Sequence, residues 1–356
     1  MKYSVLLILF LVGCGGRLKT TIDIDYGYSA ELVSLPELPE LVWRERLISP
    51  VNDIAIVNDS TVIVFTFRGE IFLLNTRSGD IEGNIWQPFR EPVAAFNITD
   101  NYLYIAASLD EPLMAYDLTS RKRRWRNKRI QVMPASMTII KDTLYVSNAS
   151  RLLAFDRLTG SRLYSRNIEN TLKNQLLSAH NNLIAFSSDG EVVIYNTNLQ
   201  VKTKIALNLS LSVKATVAGN MLAVVDGSGQ LFIIDLPTNT ILWKKKYDST
   251  IFAAPVIHND RLLVGLSNGT VIVYKLNTGI EEWRYQGLGL INLETIVTGN
   301  EYLIPYSRGE IVAIDQKNGK VIWKYATDNV IRSLWEVNDG LLYIDQKRYI
   351  HLLKGN

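Results

Sequence analysis

The stretch Gly309-Glu310-Ile311-Val312-Ala313-Ile314-Asp315-Gln316-Lys317-Asn318-Gly319-Lys320-Val321-Ile322-Trp323 decides the fold. Counted from Gly309, Asp stands six positions on, Gly ten and Trp fourteen. Asp or Asn at a strand end accepts hydrogen bonds from turn amides, and Gly supplies the positive φ of a bulged hairpin. Trp buries a large ring whose indole N–H needs an acceptor. The stretch therefore reads as strand, tight turn and second strand, with its marked residues serving architecture.

Sliding this template along the chain places anchors at Gly69, Glu111, Ser150, Gly190, Gly229, Gly269, Gly309 and Lys347, spaced by 42, 39, 40, 39, 40, 40 and 38 residues. A second signal keeps the same period. Polar turn pairs precede the anchors: Asn58-Asp59, Asp100-Asn101, Lys141-Asp142, Asn181-Asn182, Gly219-Asn220, Asn259-Asp260, Gly299-Asn300 and Asn338-Asp339. Such pairs tolerate positive φ at low cost. Between them the chain is alternating or continuously apolar, as in Arg261 to Leu266 and Thr270 to Lys275. Each unit reads as four short strands joined by hairpins. Eight such units predict an all-β fold, an eight-bladed β-propeller of four-stranded antiparallel blades.

The last unit ends before its Trp, and Leu41-Val42-Trp43-Arg44 offers the missing outer strand. An N-terminal strand carrying Trp43 is thus expected to close the ring and remove open edges. The expected organisation is a cleaved signal over residues 1–13, a lipidated N-terminus and flexible tether over 14–40, and one propeller domain over 41–356.

Composition narrows the function classes. With 38 Lys+Arg against 35 Asp+Glu, net charge gives no whole-molecule case for nucleic acid. A 47% hydrophobic content excludes disorder, and one cysteine excludes an intrachain disulfide. The three histidines, His180, His258 and His351, are too scattered for a metal site. No P-loop, nucleophile elbow or His-Glu-x-x-His pattern occurs.

At the N-terminus Lys2 precedes the apolar run Val5 to Val12, too short to span a bilayer, and Leu11-Val12-Gly13 leads into Cys14. This resembles the lipobox of bacterial lipoproteins, which implies acylation of Cys14 and anchoring in lipid. Gly15 carries no inner-membrane retention Asp, so the resemblance implies the outer membrane.

The full motif stands at Asp315, Gly319 and Trp323. Two of its three residues remain at Asp117 with Trp125, Asp156 with Gly160, Asp235 with Trp243, and Gly279 with Trp283. The unit around Gly190 keeps only Asn196, and the first has Asn75 and Gly79 without Trp. The pattern resembles the tryptophan-docking motif of quinoprotein-like propellers, in which Trp packs between neighbouring blades. Behind a lipobox and a Pro-containing tether it is similar to the BamB family of outer-membrane assembly lipoproteins. That resemblance implies a non-catalytic, periplasm-facing scaffold, without cofactor, that assists assembly and insertion of outer-membrane β-barrel proteins. Its implied partners are the periplasmic domains of the barrel-assembly protein, other assembly lipoproteins and outer-membrane lipid, with no nucleic acid.

The alternatives are a ligand- or glycan-binding or sensory propeller and a dehydrogenase using pyrroloquinoline quinone. The sequence lacks the adjacent cysteines usual over that quinone and any long insertion to wall a pocket. A funnel lined by aromatic and acidic side chains would favour ligand binding; an apolar patch on a loop face would favour a scaffold. One basic run, Arg121, Lys122, Arg123, Arg124, Arg126, Lys128 and Arg129 around Trp125, is a candidate partner patch. Arg44, Arg126, Lys244, Arg284 and Lys324 each follow a Trp, so alternation points the ring inward and the cation outward.

Overall fold

The computed structural model describes residues 18–20, 38–85, 92–107, 112–120, 122–127, 134–148, 150–168, 172–209 and 213–355. They form eight antiparallel sheets, the blades of a closed ring. We number the blades 1 to 8 in chain order, blades 1 to 6 lying within 51–85, 93–127, 134–167, 172–206, 213–246 and 256–286, and letter their strands A to D from the channel outward. In blade 7 these are Ile296–Thr298, Glu301–Tyr306, Glu310–Asp315 and Val321–Ala326. Blade 8 takes A, B and C from Ile331–Val337, Gly340–Asp345 and Tyr349–Lys354, and D from Glu40–Arg46. Leu41 pairs with Leu353 and Trp43 with Leu352, so the ring closes through an N-terminal strand as expected. Within the stretch read as a tether, Leu18–Thr20 runs antiparallel to Ile81–Ile85 and makes blade 1 five-stranded.

The apolar pattern explains where the core lies. Strands B and C are buried on both faces, Thr61–Thr66 and Glu301–Tyr306 along their whole length. Strand D alternates, as in Lys122–Asn127. A blade buried on both faces needs a neighbour on each side. Accordingly the protein has an apolar core at each of its eight blade junctions, such as Phe186, Ile194, Val224 and Ile234 between blades 4 and 5, or Ile304, Val312 and Val273 between blades 6 and 7.

Three expected turn positions need correction: Asn58-Asp59, Asn181-Asn182 and the anchor Lys347. The first two-residue turn is Asp59-Ser60 in blade 1 and His180-Asn181 in blade 4, where both residues have positive φ, +49° and +58°. In blade 8 Arg348, rather than Lys347, takes the anchor's place: its φ is +74°, and its N–H donates to the Asp345 carbonyl as that of Gly309 does to Tyr306. Every blade also carries a bulge between strands C and D, one residue before the Trp position: Glu82, Arg124, Leu163, Lys202, Leu242, Glu282, Ile322 and Val42. A bulge bends its strand and raises local twist, which suits an outer strand wrapping a neighbour.

Candidate functional site

The marked aspartates cap the C–D turns. Asp315 Oδ1 accepts the N–H groups of Lys317 and Asn318 at 2.9 and 3.0 Å. Asp156 does the same for Leu158 and Thr159, Asp117 for Ser120 and Asp235 for Thr238. Hydrogen bonding, first from the Thr159 hydroxyl, holds the Asp156 carboxyl below its usual range.

Gly and Trp act across blades. The Trp43 indole donates to the Thr76 carbonyl at 2.8 Å, Trp125 to Arg157 at 2.9 Å, Trp243 to Leu276 at 2.7 Å and Trp283 to Gln316 at 3.0 Å, in each case on the following blade's C–D turn. Each ring lies against the glycine of that turn. A Cβ on Gly160 would stand 2.5 Å from Trp125, and one on Gly319 2.7 Å from Trp283. Gly79 and Gly279 face Trp43 and Trp243 in the same way. Gly160 thus has its Trp partner, Trp125, in the blade before, although its own repeat carries Tyr164 at the Trp register. Part of the motif's apparent decay within repeats is therefore explained by four intact pairs between repeats.

The remaining junctions differ. Between blades 3 and 4, Tyr164 pairs with Ala154 at the Trp register, and Leu199, at φ +63° and 2% exposed, takes the glycine's place. Arg166 Nη1 reaches the Leu199 carbonyl there at 3.1 Å. Between blades 4 and 5, Thr203 pairs with Ile194 at the Trp register and Asn239 takes the glycine's place. Blade 4's C–D turn is one residue shorter, since Asn196 N–H donates to Gln200 whereas Asp315 N–H donates to Lys320. That shift moves the register from Lys204 to Thr203. Trp323 has no such turn ahead of it, because blade 8 draws strands C and D from opposite parts of the chain. Its indole instead bonds Glu301 in its own blade. Burial pushes the Glu301 carboxyl up to about 7 despite that bond, with Asp315 adding to the rise.

Successive strands alternate in direction, so the A–B and C–D turns share one face and the B–C turns and blade-to-blade connections share the other. This second face displays Ile48, Phe67, Phe252 and Leu288, with Ile48 81% and Leu288 71% exposed. Phe67 N–H donates to the Pro50 carbonyl, which holds the Phe67 turn beside the Ile48 connection. The sequence reading missed these residues; their signal was large apolar side chains inside stretches that otherwise read as loops. The channel wall includes Thr138, Leu177, Ser178, Thr216 and Glu294. Asp53, desolvated and opposed by Glu294, has its carboxyl pushed up.

In the basic run Lys122, Arg124 and Arg126 are exposed on strand D of blade 2 and Arg123 is half-buried. Arg121, Lys128, Arg129 and Cys14 lie outside the described residues. The cations following Trp are exposed at Arg44, Arg126, Lys244, Arg284 and Lys324. His351 is buried, stacked on Tyr343 at 4.2 Å with Nε2 3.3 Å from Asp345. Burial lowers its pKa, and Asp345 opposes the shift. Among the described residues no three His, Cys, Asp or Glu gather where a metal could be held.

An eight-bladed ring braced by Trp rings set on the next blade's glycine defines a quinoprotein-like β-propeller. Within that class the chain belongs to the family described as outer membrane protein assembly factor BamB, whose model matches residues 31–201 and 179–340. The BamB of Burkholderia pseudomallei is 29% identical over 141 residues, 38% of this chain and 36% of that protein. The BamB of Shewanella oneidensis is 26% identical over 125 residues, 33% of this chain and 31% of that protein. The chain thus spans about a third of the length of these curated relatives. The crystal structure of BamB from Moraxella catarrhalis superposes with a TM-score of 0.68 at 17% identity, covering 89% of this chain and 100% of that one, a likeness of fold.

Proposed function

We propose that this protein is a non-catalytic scaffold that binds other proteins at the outer membrane and assists assembly and insertion of outer-membrane β-barrel proteins. In this reading acylated Cys14 anchors it in lipid facing the periplasm, and the periplasmic domains of the barrel-assembly protein and other assembly lipoproteins are its partners. Family membership supports the assembly role. The observation that carries the scaffold reading is the loop face: Ile48, Phe67, Phe252 and Leu288 stand exposed on one side of a ring whose cores are buried between blades. Exposed apolar side chains on a rigid support suit protein docking, since binding there buries apolar area without ordering the scaffold.

The described channel lining does not favour the ligand-binding alternative. Among the described residues, a cavity of about 370 Å³ in the channel wall is lined by Thr138, Ser178, Thr216, Glu294 and aliphatic side chains, with Asp53 in electrostatic reach of Glu294 and no aromatic ring in that lining. Nor do the described residues fit pyrroloquinoline quinone with calcium, because no cluster of acidic donors converges to hold the ion.

The test is a gentle-detergent pull-down of the tagged, lipidated protein from its native envelope, with crosslinking and mass spectrometry. Recovery of the barrel-assembly protein, lost in Cys14→Ala and reduced in Ile48→Asp with Leu288→Asp, is expected. Absence of every assembly component, or undiminished recovery with the loop-face variant, would contradict the proposal.

A further inference from the structure

The junction between blades 4 and 5 contains an open cleft of about 370 Å³ at the place that an indole fills in four sister junctions. Its floor is apolar, formed by buried Ile184, Ile194 and Leu236, and its rim carries Pro237, Lys202 and Asn239. Thr203, at the Trp register, lines it as well. The opening follows from sequence: a hydroxyl and a methyl stand where a bicyclic ring stands in four sister junctions.

The blade 5 wall nevertheless keeps the backbone of a dock. Leu236 N–H donates to the Asn220 carbonyl at 2.8 Å, as Leu276 does to Asp260 and Gln316 to Asn300. In those two blades the carbonyl of the same residue, Leu276 or Gln316, accepts an indole N–H. Position 203 supplies no indole to the Leu236 carbonyl. One feature sets the depth. Asn239 carries a Cβ where the docks require glycine, so a ring entering from outside must sit shallower than an internal Trp.

Beside the cleft, strand D of blade 4, Val201–Ala206, is the outer edge of its sheet. A polypeptide strand added to that edge would lie about 4.8 Å outward. Its side chains on the cleft side would then project toward the opening that Thr203 leaves. We propose that the blade 4–5 cleft is a binding site for an aromatic side chain of an extended partner polypeptide, an indole above all, captured in a docking slot the chain itself leaves empty. The site lies on the A–B and C–D turn face, opposite the exposed apolar loop residues, and stands whether or not the pull-down recovers assembly components.

The test titrates the full mature chain with a seven-residue Thr/Lys peptide carrying a central Trp, with its Ala counterpart and with free indole, followed by the methyl NMR signals of Ile184, Ile194 and Leu236. The Trp peptide is expected to shift these methyls and to bind at least tenfold more tightly than the Ala peptide. Thr203→Trp with Asn239→Gly, which rebuilds the internal brace, is expected to weaken the peptide at least tenfold and to raise the thermal midpoint. Thr203→Leu, which fills part of the cleft with little risk to folding, should weaken it severalfold. Equal binding of the two peptides, binding of indole but neither peptide, or undiminished binding by the filled variants would overturn the proposal.

Discussion

The junction between blades 6 and 7 and the one between blades 4 and 5 solve the same problem differently. In the first, Trp283 is 9% exposed, its N–H is bonded to Gln316, and its ring presses on Gly319. In the second, Thr203 and Asn239 replace both partners and a cleft remains. Both keep a continuous apolar core beneath. The core therefore holds a junction together, while the Trp–Gly pair seals its outer end. In the junction between blades 4 and 5 both partners are absent together.

The sharpest way to break this comparison is to remove a brace where it exists. Trp283→Ala is expected to cost about 3–5 kcal/mol of unfolding free energy in urea, as for a buried aromatic ring. Tyr164→Ala, at the corresponding register of the unbraced junction between blades 3 and 4 and 43% exposed, should cost under about 1 kcal/mol. Similar costs at the two sites would mean that the rings are equivalent and the distinction false.

Glycine offers a second contrast. Gly160→Ala adds a Cβ 2.5 Å from the Trp125 ring as well as an unfavourable positive φ of +71°, and should cost about 2–4 kcal/mol. Gly219, at φ +55°, has nothing within 4 Å of an added Cβ, so Gly219→Ala should cost only the backbone part, about 1 kcal/mol. Chemical denaturation of both variants separates ring contact from backbone strain.

Trp323 sharpens the comparison as the brace without a turn to receive it. Its partner Glu301 has an ordinary value of 4.5 and a folded value of about 7, so the folded state binds the proton more tightly. Stability is then lost as pH rises from about 4.5 to about 7, by up to about 3 kcal/mol, and the loss is complete above that window. Glu301→Gln keeps an acceptor for the indole and removes the titration. Its advantage over the wild type in thermal or urea unfolding should be small at pH 4.5 and grow toward pH 7.5; a difference independent of pH would exclude this cause.

The smallest effect is expected outside any junction. Arg124→Ser with Arg126→Ser, both on the exposed side of blade 2, should change stability within about 0.5 kcal/mol. A larger loss would show that the basic strand, too, carries the fold.

Much of this architecture was legible in the sequence because it repeats. The eight-blade count, the ring closure at Trp43 and the Asp-capped turns follow from residue types fixed at positions of constant period. The pairing of Gly with Trp was hidden by that same periodicity: read within one unit, Gly279 and Trp283 look like partners, yet Gly279 receives Trp243 and Trp283 seats on Gly319. A contact spanning about 36 residues leaves no local trace in a forty-residue template. The bulges were equally unreadable, since Arg124, Lys202 and Leu242 share no chemistry; the strand geometry, not the side chain, selects the place. The displaced register at Thr203 had a signal in the short turn from Asn196 to Gln200, which the fixed template stepped over.

The most direct measurement is a pair of double-mutant cycles sharing Trp283→Ala, one with Gly319→Ala across the junction and one with Gly279→Ala in the same repeat. The expected result is a coupling of about 1–3 kcal/mol for Trp283 with Gly319, because the added Cβ meets no ring once the indole is gone, and additivity within about 0.5 kcal/mol for Trp283 with Gly279. Additivity across the junction, or equal coupling in both cycles, would contradict the view that each Trp–Gly pair joins two blades.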